Sequence, residues 1–149
     1  MTTRRIVLDA NILIRAVLGK KVGGLLTEYA DSIDFCAPSI AFKDADENLP
    51  GIMAKRGISP AQLALGLDAV RLLVEELPSE VTDPMRTKAL QRIGRRDPDD
   101  WPIAAAALIL DCPIWTEDKD FFGAGIPTWT SDLVEIYLRD NDEPEPVTD

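Results

Sequence analysis

No histidine occurs anywhere in the 149 residues, and that absence excludes more chemistry than any single residue establishes. It removes Ser-His and Cys-His nucleophile systems, histidine acid–base pairs and the usual zinc sites. Cysteine is scarce as well. Cys36 lies in an apolar, strand-like run and Cys112 beside a proline, with no CxxC spacing, so buried free thiols are expected rather than a disulfide framework. No apolar run approaches the roughly 20 residues of a membrane span. The opening Met-Thr-Thr-Arg-Arg-Ile-Val-Leu-Asp has no signal-peptide hydrophobic region followed by a cleavage site, so a cytoplasmic location is expected.

Positive charge is also in deficit. Sixteen Lys and Arg stand against 26 Asp and Glu, a formal charge of -10, which weighs against a nucleic-acid partner. Residues 140–149 hold five acids and no base, leaving -5 on the rest. Divalent cations gathered by some acids would lower the repulsion further, so charge weakens a nucleic-acid reading without disposing of it. With 46% apolar residues, the length suits one globular domain with a core, over residues 1–139. The acidic tail, 140–149, has two prolines and little to bury, and is expected to be disordered.

What is present alternates between strands and helices. Residues 4–9 end Ile-Val-Leu-Asp, which reads as a short buried parallel strand. A helix is expected over 11–18, a break at Gly19–Gly24, and a helix over 25–30. Residues 34–37 read as a second strand ended by Pro38, with Ser39 placed to cap a helix over 40–55 that Pro50-Gly51 must interrupt or kink. Ser59-Pro60 opens a long amphipathic helix to about Leu77. Further helices cover 84–93 and 101–110, the latter rich in alanine on one face, as close packing on a sheet requires. Strands over 113–116 and 126–130 and a helix over 131–138 complete an α/β, three-layer α/β/α sandwich around a mainly parallel sheet.

In open α/β sheets, sites form outside the carboxyl ends of the strands. Asp9 ends the first strand, Asp118 follows the third by two residues, Asp44 lies one turn into the helix after the second, and Asp100 opens the alanine helix. Four segments thus aim acids at one end of the domain. Such like charges raise one another's pKa unless something neutralises them. A hard divalent cation does so, and oxygen ligands select Mg²⁺ or Mn²⁺ over zinc. A site of that kind activates water at a phosphodiester without histidine.

Each acid also has a bland role. Asp9 can merely cap the first helix, Asp44 and Glu47 can form a solvated helix face, and Asp118 and Asp120 can be turn residues. Asp97-Pro98-Asp99-Asp100 reads as an N-cap, a proline and acids complementing the helix dipole. Pro102 complicates that reading: a helix capped by Asp97 would put it at the fifth position, where its missing N–H is needed. One aspartate suffices as a cap, which leaves the others without a structural task. Arg92, Arg95, Arg96 and Lys119 flank the acids, with Arg15 and Lys43 as further candidates to hold phosphates, although a solvated surface is the default for any one of them. Gly19–Gly24 lacks the order of a phosphate loop.

On these residues the sequence resembles the PIN domain family, metal-dependent nucleases that include toxin ribonucleases of bacterial toxin–antitoxin pairs, the VapC type. Ile-Val-Leu-Asp9-Ala-Asn11 resembles the family's first motif, Asp97-Pro-Asp-Asp100-Trp-Pro-Ile-Ala-Ala-Ala-Ala its third, and Thr116-Glu-Asp118-Lys-Asp120-Phe its fourth. In the second motif the family places a glutamate. Here Asp44 occupies that register and Glu47 lies one turn further on, so either can be the second-motif acid. The resemblance covers residues 4 to 138. It implies a PIN fold, a Mg²⁺ or Mn²⁺ site, RNA as substrate, a homodimer and, in toxin members, an antitoxin that blocks the site, often with a basic side chain among the acids.

The leading expectation is therefore a Mg²⁺- or Mn²⁺-dependent endoribonuclease. Asp9, Asp44, Asp100 and Asp118 would bind the metal, with Asn11, Thr116, Asp97 and Asp120 orienting ligands or water. A second reading is a catalytically weak PIN scaffold that binds a partner protein. A third is a phosphatase-like hydrolase with Asp9 as nucleophile, which expects a second aspartate where this chain has Asn11.

Overall fold

The computed structural model describes residues 4–139; the tail at 140–149 lies outside them. The chain runs β1 (Arg4–Leu8), α1 (Ala10–Leu18), α2 (Lys20–Glu28), β2 (Ile33–Pro38), α3 (Ser39–Lys55), α4 (Pro60–Leu73) and β3 (Val74–Leu77). It continues through α5 (Ser79–Thr82), α6 (Arg86–Ile93), α7 (Trp101–Leu110), β4 (Ile114–Trp115), β5 (Thr128–Trp129) and α8 (Val134–Leu138). The five strands form one sheet in the order β3-β2-β1-β4-β5, and every pairing is parallel. Helices α1 to α4 pack against one another, and α7 packs on β1, β2 and β4 with α5 and α6 beside it, which gives the expected three layers.

β1 sits at the centre because it can be buried on both sides: Ile6, Val7 and Leu8 are wholly inaccessible, the continuous apolar run of an interior parallel strand. α7 matches it. Ile103 and Ala104–Ala107 are all buried, and a helix apolar on every side belongs inside a fold. The alanines keep it thin enough to lie close against the strands. Cys36 is a buried free thiol and Cys112 a half-buried one, as expected. Among the described residues no helix is long and apolar enough to cross a membrane.

Four expectations about elements are corrected. The break expected over residues 19–24 narrows to Gly19, whose extended backbone ends α1. α2 begins at Lys20 and covers the rest because Val22, Leu25 and Leu26 bury one face, and a β-carbon on Gly23 would come within 3.0 Å of the Ala16 carbonyl, so that glycine lets α2 approach α1. α3 runs through Pro50 without a break, held by the burial of Leu49 and Met53 on either side. Ser39 does not cap α3. Its hydroxyl lies 2.9 Å from the Glu76 carboxylate and 3.2 Å from the Leu77 carbonyl, tying the helix start to β3. Finally, the helix opened by the Ser59–Gln62 capping box stops at Leu73, and residues 74–77 form β3 at the sheet edge rather than its last turn. The buried positions Val70, Val74 and Leu77 fit a helical spacing as well as they fit a helix followed by a four-residue strand.

Candidate metal centre

The strand order reverses between β1 and β4: from β1 the chain builds outward to β2 and β3, then returns to the other side for β4 and β5. Such a switch point leaves a crevice at the carboxyl ends of the two central strands. Asp9 follows β1 there, and Thr116 to Asp118 follow β4. A cleft of about 350 Å³ opens at this point, lined by Ile40, Ala41 and Ile103 and by the acidic residues Asp9, Asp44, Asp99, Asp100, Glu117 and Asp118.

Asp9 is 8% exposed and is fastened on both sides. Its carboxylate accepts from the Ile12 backbone N–H at 3.0 Å, capping α1, and from the Thr116 hydroxyl in a short hydrogen bond. The Thr116 oxygen in turn accepts from the Asp118 N–H at 2.9 Å, and the Asp118 carboxylate accepts from the Asp120 N–H at 2.9 Å. One chain of hydrogen bonds thus fixes the first and fourth motifs relative to each other. Burial raises the Asp9 pKa, the Thr116 and Ile12 hydrogen bonds oppose that shift, and the charges of Asp118 and Glu117 add to it.

The start of α7 resolves the problem posed by Pro102. Asp97 caps a single 3₁₀ turn, Pro98–Asp100, by accepting from the Asp99 N–H at 3.1 Å. The α-helix proper begins at Trp101, so Pro102 falls in its first turn, where no N–H is required. Asp100 occupies the N-cap position of that helix but makes no capping hydrogen bond. Its carboxylate faces other acids instead. One carboxylate oxygen each of Asp97, Asp100 and Asp118 lie within 4.8 Å of one another. Burial, then the hydrogen bond and charge of Asp97, then Asp118 push the Asp100 pKa up to about 8.

Asp44 is half-buried and lines the cleft; burial raises its pKa, followed by the charge of Glu47. Glu47 is exposed and lies outside the cleft lining. Asn11 lines the cleft at an exposed position. Asp97 belongs to the cluster with Asp100 and Asp118, whereas Asp120 meets Asp118 through its backbone N–H; neither lines the cleft. Sequence reasoning did not single out Asp99 or Glu117 as cleft residues. Glu117 accepts from the Ser131 N–H at 2.6 Å and lies 3.8 Å from Arg15; its place between Thr116 and Asp118 was the available signal.

The arginines behave differently from phosphate holders. Arg92 donates to the Ala124 carbonyl at 3.4 Å, and Arg96 donates to the carbonyls of Asp120, at 3.2 Å, and Phe122. They tie α6 and its connection to the loop that carries Asp118 and Asp120. Gly125 has φ +79°, and a β-carbon there would collide with the Arg92 guanidinium, so this loop needs glycine for its backbone and for its neighbour.

All the donors are carboxylate oxygens, a hard set that fits Mg²⁺ or Mn²⁺ and not a site for soft metals. No curated protein matches the sequence. Among solved structures the fold is similar to that of VapBC2 from Rickettsia felis bound to a DNA fragment from their promoter. The TM-score is 0.57 and the identity 18%, over 85% of this chain and 98% of that one. A profile of the PIN domain matches residues 7–139, nearly the whole described chain and every acid of the cleft, and the chain belongs to the PIN domain family.

Proposed function

We propose that the cleft is the active site of a Mg²⁺- or Mn²⁺-dependent ribonuclease that hydrolyses RNA phosphodiester bonds. Asp9, Asp44, Asp100 and Asp118 are the proposed metal-binding residues. The observation that carries this reading is the convergence of Asp97, Asp100 and Asp118 within 4.8 Å in a PIN domain without histidine. Such a cluster of acids is costly when uncompensated. The chemistry supplied by a bound divalent ion is activation of water and stabilisation of charge on the phosphodiester.

The chain's own residues have separable tasks. Asp100 would hold the ion as a carboxylate, so a loaded site would carry it deprotonated, whereas its raised pKa belongs to the uncompensated cluster. Thr116 orients Asp9, and its oxygen also receives the Asp118 N–H, so one hydroxyl sets two ligands. Asp97 and Asp120 hold the second rank behind them, and Asn11 at the rim orients water or substrate. Ile40 and Ile103 shield one wall from solvent.

The VapBC2 relative motivates a further part of the reading, that the chain is the cytoplasmic toxin of a toxin–antitoxin pair, with the antitoxin presenting a basic side chain to the acids. The test of the enzymatic core is cleavage of single-stranded RNA by the purified chain. Cleavage is expected with Mg²⁺ or Mn²⁺ and none in excess chelator. Undiminished cleavage in chelator would overturn the mechanism. Inactivity on every RNA, with no Mn²⁺-induced rise in melting temperature, would favour the protein-binding scaffold instead.

A further inference from the structure

The acidic cleft adjoins a second one of about 560 Å³, with which it shares Ile40, Asp44 and Asp99. Away from the shared residues the second cleft changes character. Trp101, Pro102 and Pro38 give it apolar lining, and Ser79 and Asp83 give it polar groups, while the buried Thr82 hydroxyl donates to the Ser79 carbonyl. Trp101 directly follows Asp100 in the chain, so the backbone that places the acid also places the indole. The Arg86 guanidinium lies 5.4 Å from the ring centroid and steadies it without itself lining the cleft.

Charge decides what this cleft can take. It has no lysine or arginine in its lining and three aspartates, Asp44, Asp83 and Asp99, so it repels a phosphate. A neutral planar ring with amino donors suits it: the indole offers a stacking surface, and a carboxylate accepts from exocyclic amines as it does from cytosine or adenine. The space exceeds what one base requires and communicates with the acids, as it must if a single strand crosses both.

We infer that the second cleft is a nucleobase subsite. It receives an unpaired, amino-bearing base next to the phosphate held at the acids, stacked on Trp101, with Asp83 reading its exocyclic amine. The inference rests on the ribonuclease reading for the identity of the strand. It adds a source of sequence preference that the acids cannot supply.

Adenosine 5′-monophosphate and adenosine 3′-monophosphate, which contain no phosphodiester to cut, are suitable probes in the presence of Mg²⁺, with ribose 5-phosphate as the control lacking a base. At least one nucleotide is expected to quench tryptophan fluorescence in the unmodified chain. The quench should be absent with ribose 5-phosphate and absent in Trp101→Phe, whose Mg²⁺-induced melting shift stays as in the unmodified chain. In RNA cleavage, Trp101→Leu should raise KM roughly 5- to 150-fold, the range of one lost base stack, with kcat little changed, and Trp101→Phe should restore most of the loss. Equal quenching by ribose 5-phosphate, or an unaltered KM in Trp101→Leu, would overturn the subsite even if the enzyme cleaves RNA. Displacement of a fluorescent peptide but of no nucleotide would assign the cleft to a protein segment. Quenching by a nucleotide without any cleavage would leave the subsite standing and refute the nuclease reading alone.

Discussion

The two flanks of the cleft hold their acids in opposite ways. At the strand ends, Asp9 accepts from Ile12 and Thr116 and Asp118 accepts from Asp120, so each carboxylate completes local structure as well as facing the cleft. At the helix starts, Asp100 stands at an N-cap position without capping, and Asp44 is half-buried with a raised pKa. The lesson is that an aspartate can serve fold and site together, and that substitution separates the two roles only where the fold has no use for the charge. Asp100 is the cleaner probe of function, and Asp9 reports on both.

Asp100→Asn carries the largest expected effect. RNA cleavage should fall by more than about 100-fold, beyond the roughly 10- to 100-fold typical of residues that merely support a metal ligand. The melting temperature of the metal-free chain should hold near neutral pH and rise above pH 8, because the change removes no cap and removes a carboxyl that charges against its neighbours only as pH passes about 8. Asp9→Ala should lose cleavage equally but also cost about 1–2 kcal/mol of stability, through the lost α1 cap and the stranded Thr116 hydroxyl; denaturant unfolding measures it. Equal stability losses in the two variants would erase the contrast between the flanks.

Thr116→Val comes next. It removes the hydroxyl that joins Asp9 to Asp118 and should lower Mn²⁺ affinity or activity roughly 10- to 100-fold. The second motif gives the smallest pair of effects. Asp44→Asn should lower cleavage, whereas Glu47→Gln, exposed and outside the cleft lining, should leave it within about twofold, as surface changes usually do. A reversal of that order would return the second-motif role to Glu47.

The pH dependence follows from the same contrast. The Asp100 carboxyl titrates at about 8 in the folded chain, against roughly 3.9 when unfolded. Between those values the folded state holds a proton that the unfolded state has lost, so this group lowers metal-free stability as pH rises through the window. Asp9 and Asp44 are raised as well and act in the same direction. Thermal melts at pH 5 and pH 8 should therefore show Mg²⁺ or Mn²⁺ stabilising the chain more at the higher pH.

The layered fold and the acids of three motifs were legible in the sequence because they depend on local signals. Ile6 to Leu8 followed by Asp9 marks a buried strand and its end, and the alanine-rich run from Trp101 to Leu110 marks a helix packed on the sheet. What was not legible depends on neighbours. Val74 to Leu77 continues the apolar spacing of α4, and only pairing with β2 turns it into a strand. Gly23 looks like a breaker until α1 lies against it. Arg92 and Arg96 look like phosphate ligands, and only the folded loop shows that its own carbonyls occupy their guanidinium groups. That Asp44 lines the cleft and Glu47 does not likewise depends on the direction of the α3 face, which spacing of three residues on one helix leaves open.

We propose that Asp100, an acid without a structural task, binds a divalent cation. Titration of Mn²⁺ into the unmodified chain and into Asp100→Asn by calorimetry, in two buffers of different ionisation enthalpy, tests it most directly. Binding with proton release near neutral pH is expected in the unmodified chain, and binding weakened at least tenfold without that release in Asp100→Asn. Identical Mn²⁺ binding by the two chains, or none by the unmodified chain, would contradict it.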